Sequence, residues 1–426
     1  MSDKLVQCVS PVDGSVFAER PLADPGDISK ACDKARAAQA DWRNAPVSER
    51  AQYCTRAVDA MLAMADDIVP ELAWQMGRPV VYGKSELRGF EERAHHMIAI
   101  AEDSLSDIVP EPKAGFTRRI AREPLGIVLT IAPWNYPYLT AVNSIIPALM
   151  AGNAVLLKHA RQTLLVGARF AKAFEEAGLP EGLFHNLVLS HGQTAELISG
   201  GHVDMVCFTG SVGGGAAMEQ AAAGQFIGLG LELGGKDPAY VREDAALGYA
   251  VENLVDGAFF NSGQSCCGVE RIYVHESLFD GFVEGFVDLT RQYVLGDPLD
   301  QVTTLGPMID AKAADFVRGQ IDSAVTAGAT AHIDEGAFEK SNAGTPYLAP
   351  QVLTGVNHQM SVMREESFGP VVGIMAVSGD DEAVALMNDS PFGLTASIWT
   401  ADEGAAASVG DRINTGTVYM NRCDYL

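Results

Sequence analysis

The chain opens with stretches in which apolar residues recur every third or fourth position. Ile28–Ala40, Val47–Ala65 and Ser85–Ala101 follow this spacing, and each predicts an amphipathic helix. From Val109 to Arg122 the periodicity is lost among prolines and basic residues, which predicts an extended linker or edge ribbon. The pattern then changes. Gly126–Ala132 and Ala154–Lys158 are continuous apolar runs, as expected of strands buried on both faces. Ile145–Met150 reads as helix, and Gln162–Ala177 as an amphipathic helix stopped by Gly178. Leu187–Leu189 and Met205–Phe208 read as strands, with a helix near Gln193–Ile198 between them. A second series begins near Leu231. Its helices are predicted at Tyr249–Phe260, Leu278–Tyr293 and Phe316–Ala327, and its strands at Arg271–Val274, Thr330–Ile333 and Val371–Val377. Strands alternating with helices predict βαβ units. The expected fold class is α/β, with two doubly wound parallel-sheet domains joined near Glu232 and a β-ribbon.

Composition narrows the function classes. A chain of 426 residues is too long for one core, in line with two or three domains. The formal net charge of -25 argues against duplex nucleic acid or an anionic membrane as partner, since both need basic surface. Apolar runs are interrupted by Pro, Gly and Asn, so no membrane span is predicted. The N-terminus lacks a charged-then-apolar leader pattern. The 7 Cys fall at irregular spacing without a CxxC, which predicts free thiols in a reducing, cytoplasmic setting. The 9 His include no HExxH and no Cys/His ligand spacing, so no metal site is expected.

Four segments carry candidate chemistry. Asn261-Ser262-Gly263-Gln264-Ser265-Cys266-Cys267 ends a predicted helix in a polar turn that presents a thiol. A single Cys is ordinarily a small buried hydrophobe, but loops between elements are where functional residues concentrate. Pro133-Trp134-Asn135-Tyr136-Pro137 follows a buried strand directly. Open α/β sheets bind ligands at that end of their strands, and Asn135 is able to donate to a developing oxyanion or to satisfy its own turn. Phe208-Thr209-Gly210-Ser211-Val212-Gly213-Gly214-Gly215 joins a strand to a helix, where glycines let phosphate oxygens approach the helix N-terminus. It is not the GxGxxG of the ordinary dinucleotide fold. Leu231-Glu232-Leu233-Gly234-Gly235-Lys236 sets a carboxylate in an apolar run. Desolvation there suits a general base, and strand alternation equally allows a surface Glu.

Together with Glu366-Ser367-Phe368-Gly369-Pro370, these segments stand in the order and at roughly the intervals of the NAD(P)-dependent aldehyde dehydrogenase superfamily, which the chain resembles over nearly its whole length. The resemblance implies oxidation of a small-molecule aldehyde to a carboxylic acid with NAD or NADP. Cys266, second after Gln264, matches the nucleophile, and Cys267 does not. Asn135 matches the oxyanion-hole amide, with the Cys266 backbone N–H beside it. Glu232 matches the base that activates the deacylating water. Lys158 matches the residue that bonds the adenosine ribose. Gly210, Ser211 and Gly215 match the pyrophosphate turn. Glu366 matches the holder of the nicotinamide ribose, and Phe368 the aromatic beside the ring. Trp134 and Leu233, inside the same motifs, are counted with the cofactor contacts. No His stands in sequence to activate Cys266, so local dipoles, the cofactor or a base reached through space must do so. Acylating relatives, which pass the thioester to coenzyme A, commonly lack the matching Glu.

On this reading residues 1–108 and 126–231 form a cofactor-binding domain, 109–125 an oligomerisation ribbon and 232–426 a catalytic domain. A homodimer or homotetramer is expected. The sequence departs from the family pattern twice. Arg161 stands three residues after Lys158, where many NAD-preferring members have Glu, and a cation there suits a 2′-phosphate. The sequence stops at Leu426, soon after the strand-like Gly416–Asn421, where the family continues into a C-terminal oligomerisation arm; the expectation is either a sequence cut short or disordered there, or an arm that is lost. Around the substrate, Tyr138, Thr140 and Asn143, with Arg88, Glu92, Arg93, His95 and His96, suggest a small polar or carboxylated aldehyde.

Overall fold

A computed structural model describes residues 5–423. The chain forms two compact units. One comprises 5–9, Val16–Glu71 and Gly83–Glu232, and the other Ser10–Ser15, Leu72–Tyr82 and 233–423.

The first unit begins with an antiparallel hairpin, β1 (Leu5–Val9) and β2 (Val16–Pro21). The helical reading of the N-terminal part misses it, because these short, mostly exposed strands lack a clean alternation of apolar and polar residues. The unit is built on β3 (Ile127–Ala132), β4 (Ala154–His159), β5 (Phe184–Asn186), β6 (Met205–Thr209) and β7 (Gly228–Glu232). They form a parallel sheet in the order β5-β4-β3-β6-β7. Every residue of β3 is buried, which accounts for its uninterrupted apolar run. Two helices, Pro25–Trp42 and Val47–Ala63, hold the end of the helix Pro137–Met150. Trp42 Nε1 donates to the Leu149 carbonyl at 3.0 Å, and the buried Arg50 to that of Met150 at 2.8 Å. The strand expected at Leu187–Leu189 is instead β5, just before it; Leu187 only adds one bond to the Leu157 carbonyl. The 109–125 segment is extended, with antiparallel bridges Ile108–Ile120 and Lys113–Phe116 and exposed apolar side chains at Val109, Phe116 and Ile120.

The second unit holds β8 (Asp237–Val241), β9 (Val269–His275), β10 (Thr330–Ala331), β11 (Gln351–Thr354), β12 (Val371–Val377), β13 (Thr395–Trp399) and β14 (Thr417–Met420). Their order is β10-β11-β12-β9-β8-β13-β14, parallel except for β10 against β11. Ile272 and Val274 of β9 pack in one core with Phe259, Phe282 and Phe286, all fully buried. Each such side chain contributes about 1.5–3 kcal/mol by leaving water. β8 escapes the sequence pattern because Asp237 and Pro238, both poor strand formers, open it; the ladder shifts register between them. β14 is the last strand of this sheet. Of the segment 418–426, the residues 424–426 lie outside those described. Among the described residues no helix is long and apolar enough to cross a membrane.

Candidate active site

In the first unit the singled-out residues collect at the carboxyl ends of the strands. Residues 133–136 follow β3, Lys158 and Arg161 sit at the end of β4, Gly210 and Ser211 follow β6, and Glu232 ends β7. β3 and β6 are neighbours whose connections leave in opposite directions, so the turns after them flank a topological switch point. That is where open α/β sheets take ligands.

The Asn135 turn is pinned from both sides. Asn135 itself is buried. Downstream, Pro137 opens the helix Pro137–Met150, whose N-cap residue Tyr136 makes no side-chain cap. The buried Glu86 supplies one instead: its Oε1 accepts from the Tyr138 and Leu139 amides at 2.9 and 3.0 Å. A carboxylate at a helix N-terminus is favoured by the helix dipole. On the other side, His159 Nδ1 accepts from the Ala160 amide at 3.0 Å, so its Nε2 carries the proton and donates to the Pro137 carbonyl at 3.2 Å. Burial pushes the His159 pKa down to about 4, which keeps the ring neutral in this role. Glu86 and His159 were missed in the sequence. The signal for Glu86 was a charge inside a buried stripe, Gly83, Glu86, Leu87, Phe90 and Ala94. Glu86→Ala strands two buried amides, so a loss of about 1–3 kcal/mol is expected in urea unfolding, with a smaller loss for Glu86→Gln.

The turn after β6 fits an anionic group. Ser211 Oγ caps the helix Val212–Ala222 by accepting from the Gly214 amide at 3.2 Å. A Cβ on Gly210 or Gly214 would meet the Phe208 ring at 2.7 or 2.5 Å, whereas Gly213 faces open space. Glycines therefore fill three of the first four positions of this helix, and a helix N-terminus of this kind, with its dipole, suits an anion. Gly215 is buried one residue further on. Burial lowers the Lys158 pKa, while Arg161 is exposed. Glu232 corrects an expectation: it is not desolvated but exposed, at the end of the edge strand β7. Tyr138 is a second correction. It is fully buried 5.7 Å from the Phe170 ring, while Arg88, Glu92, His96 and Asn143 are exposed.

In the second unit the remaining residues lie at the amino ends of three adjacent strands. Leu233 to Lys236 precede β8, Gln264 to Gly268 precede β9, and Glu366 to Pro370 precede β12. The thiol turn is left-handed at Asn261, Ser262 and Gly263, with φ of 54°, 58° and 69°. Such backbone costs about 1–3 kcal/mol per strained non-glycine residue and needs its surroundings to hold it. Ser262 Oγ donates to the Gly306 carbonyl at 2.8 Å. Gln264 Nε2 donates to the Asn261 carbonyl at 3.1 Å, and its Oε1 accepts from the Ile309 amide at 2.7 Å. Gln264 thus braces the turn that presents Cys266. Cys266 is partly exposed and Cys267 is buried, with their sulfurs 3.7 Å apart. Glu366 accepts from the Gly235 amide at 3.0 Å, and burial with the nearby charge of Glu270 pushes its pKa up to about 7. A Cβ on Gly234 would overlap the Glu366 carboxylate, and one on Gly235 the Cys266 carbonyl, so both glycines are needed for this approach.

Residues 1–425 match the family model described as the aldehyde dehydrogenase family. The chain belongs to the aldehyde dehydrogenase family. It is 32% identical to the succinate semialdehyde dehydrogenase [NAD(P)+] of Escherichia coli strain K12, over 97% of this chain and 88% of that protein. It is also 32% identical to the lactaldehyde dehydrogenase of the same strain, over 99% and 88%. Among solved structures it resembles the NADP-dependent glyceraldehyde-3-phosphate dehydrogenase of Bacillus halodurans C-125 in complex with NADP. The TM-score there is 0.91 at 32% identity, over 99% of this chain and 88% of that one. As a member of this family the protein is an oxidoreductase that oxidises an aldehyde with NAD or NADP. The α/β architecture with parallel sheets is the family's own.

Proposed function

We propose that this aldehyde dehydrogenase works through Cys266 as nucleophile and releases a free carboxylic acid. The observation that supports this most is the braced turn that leaves Cys266 accessible while Cys267 packs inward. An aldehyde carbon gives up hydride poorly while trigonal. Attack by the Cys266 thiolate makes it a tetrahedral thiohemiacetal with a negative oxygen. The Asn135 amide stabilises that oxygen, together with the Cys266 backbone N–H, which has no acceptor among the described residues. One such donor is worth about 3 kcal/mol in the transition state. The bound cofactor supplies the hydride acceptor. Collapse leaves a thioester on Cys266, Glu232 takes a proton from water, and hydrolysis frees the acid and restores the thiol. The exposed end of β7 gives Glu232 ready access to water. Trp134, Lys158, Gly210, Ser211, Gly215, Leu233, Glu366 and Phe368 are the proposed cofactor contacts, with Glu366 accepting from the nicotinamide ribose hydroxyls. Residues 1–108 and 126–231 are proposed as the cofactor-binding domain and 232–426 as the catalytic one. The exposed apolar ribbon at 109–125 is the proposed contact in a homodimer or homotetramer.

The substrate proposed is a small aldehyde bearing a carboxylate or hydroxyl, in keeping with the succinate semialdehyde and lactaldehyde dehydrogenases of Escherichia coli that the chain resembles and with the exposed polar Arg88 and Asn143. A panel of succinate semialdehyde, lactaldehyde and unbranched alkyl aldehydes, read by cofactor reduction and acid product, tests it. Preference for the alkyl aldehydes would remove the substrate assignment. A product formed only with coenzyme A would replace hydrolysis by acyl transfer.

The exposed Arg161 is proposed to pair with the 2′-phosphate of NADP. A charge-assisted contact is worth about 1.5–3 kcal/mol, so Arg161→Glu is expected to weaken NADP binding tenfold or more and leave NAD nearly unchanged. Equal effects on both cofactors, measured by titration, would mean the side chain points elsewhere.

A further inference from the structure

The chemistry assigned above leaves one buried ion pair in the second unit without a role. Lys236 and Glu270 are 1% and 4% exposed and are joined Nζ to Oε2. Lys236 ends the Gly-Gly-Lys segment before β8, and Glu270 is the second residue of β9, four positions after Cys266. The pair reaches a third segment as well. The Glu270 carboxylate accepts from the Ser367 amide at 2.8 Å and the Phe368 amide at 2.9 Å. Lys236 Nζ donates to Ser367 Oγ at 3.0 Å. The neighbouring Arg271 holds the Lys236 carbonyl through its Nε at 2.9 Å.

Buried ion pairs are poor sources of stability. Desolvation of both charges commonly cancels their attraction, and apolar replacements of similar volume are often as stable. What this pair does provide is direction. Two successive amides converge on one carboxylate, and the second belongs to Phe368, whose φ of 48° is left-handed. A bulky residue holds that conformation only where its surroundings impose it. Immediately before these amides stands Glu366, tied to Gly235, one residue from Lys236. Glu270 also faces Glu366 electrostatically and, after burial, is the next cause of its raised pKa, which Lys236 opposes.

We propose that the Lys236–Glu270 pair is a clamp that positions Glu366 and Phe368 for the nicotinamide ribose and ring. Neither residue touches the cofactor in this role; both act through the 366–368 backbone. The proposal rests on the reading of Glu366 given above.

The test uses fluorescence titration of the full-length enzyme with NADH or NADPH, whichever binds tighter. The control is ADP, or 2′,5′-ADP for NADPH, which lacks the nicotinamide ribose. Glu270→Gln leaves Lys236 buried and unpaired, so it is expected to lower the melting temperature. The double variant Lys236→Met with Glu270→Leu removes both charges and is expected to recover it. Both are expected to bind the reduced cofactor about tenfold more weakly while binding the control fragment as the native protein does. Glu270→Asp keeps the charge but draws the carboxylate back from the two amides. It shows the same selective loss without the drop in melting temperature, and it decides the matter if the double variant does not fold. A melt-recovered double variant, or Glu270→Asp, that binds reduced cofactor normally would overturn the clamp, as would parallel loss of both ligands. Glu366→Gln separates the two levels. If it leaves reduced-cofactor binding intact, the reading of Glu366 fails and the clamp with it. If it weakens binding while the clamp variants do not, only the clamp fails.

Discussion

Cys266→Ala is expected to lower aldehyde-dependent cofactor reduction by at least about 10⁴-fold while leaving cofactor binding intact. The size follows from the role. Without a nucleophile the aldehyde stays trigonal, and removal of a nucleophile typically eliminates nearly all the rate that its catalytic group supplies. The neighbouring thiol does not replace it. Cys267 is buried and its amide is held by Ser265 Oγ at 3.3 Å, so bringing its sulfur to the position of Cys266 would require the braced turn to come apart. Cys267→Ala is therefore expected to keep activity within a few-fold and to cost stability instead, since it empties a small buried volume. Steady-state rates, cofactor titration and urea unfolding on both variants make the comparison. Appreciable turnover by Cys266→Ala, or a loss at Cys267 as large as at Cys266, would remove the nucleophile assignment.

The sequence carried the alternation of strands and helices because buried parallel strands are written as apolar runs that need no tertiary information to see. β3, β4 and β12 are of this kind. β8 and the N-terminal hairpin are not. The strand character of β8 comes from ladder partners far along the chain, against local composition that includes Asp237 and Pro238, while the hairpin pairs only within itself and its two short strands carry several exposed polar residues. The same division runs through the site. Cys266, Asn135 and the glycine turns sit on short local motifs, where one residue type at one spacing carries the meaning. Glu86, His159, Lys236 and Glu270 act by reaching segments remote in sequence. Glu86 reaches 52 positions to Tyr138, and Glu270 97 positions to Ser367. The local spelling of Ser85-Glu86-Leu87 marks a charge in a buried stripe but not its partner, and that of Val269-Glu270-Arg271 names no partner either. Glu232 errs in the other direction: its apolar neighbours suggest a desolvated residue, but they belong to an edge strand whose end is open to solvent.

That exposure bears on the second large expectation. Glu232→Gln keeps the shape of the side chain and removes its ability to take a proton. If Glu232 serves only to activate the water that hydrolyses the thioester, everything up to that intermediate proceeds without it. Rapid mixing of Glu232→Gln with aldehyde and cofactor is expected to give one equivalent of reduced cofactor per site at close to the native rate. Turnover then stalls. General-base assistance commonly contributes 10²–10⁴-fold, so the steady-state rate is expected to fall by about that factor. The stalled species is a thioester, and an added nucleophile that needs no base, such as hydroxylamine, is expected to release it and restore part of the turnover. Native protein, in which hydrolysis is assisted, is expected to respond little. A solvent-exposed carboxylate is well placed for this late duty, because water reaches it without a channel. Absence of any burst in Glu232→Gln would put the residue before hydride transfer. A full burst without rescue by hydroxylamine would mean that the stalled species is not an acyl-enzyme, and either result would break the order of events proposed for this enzyme.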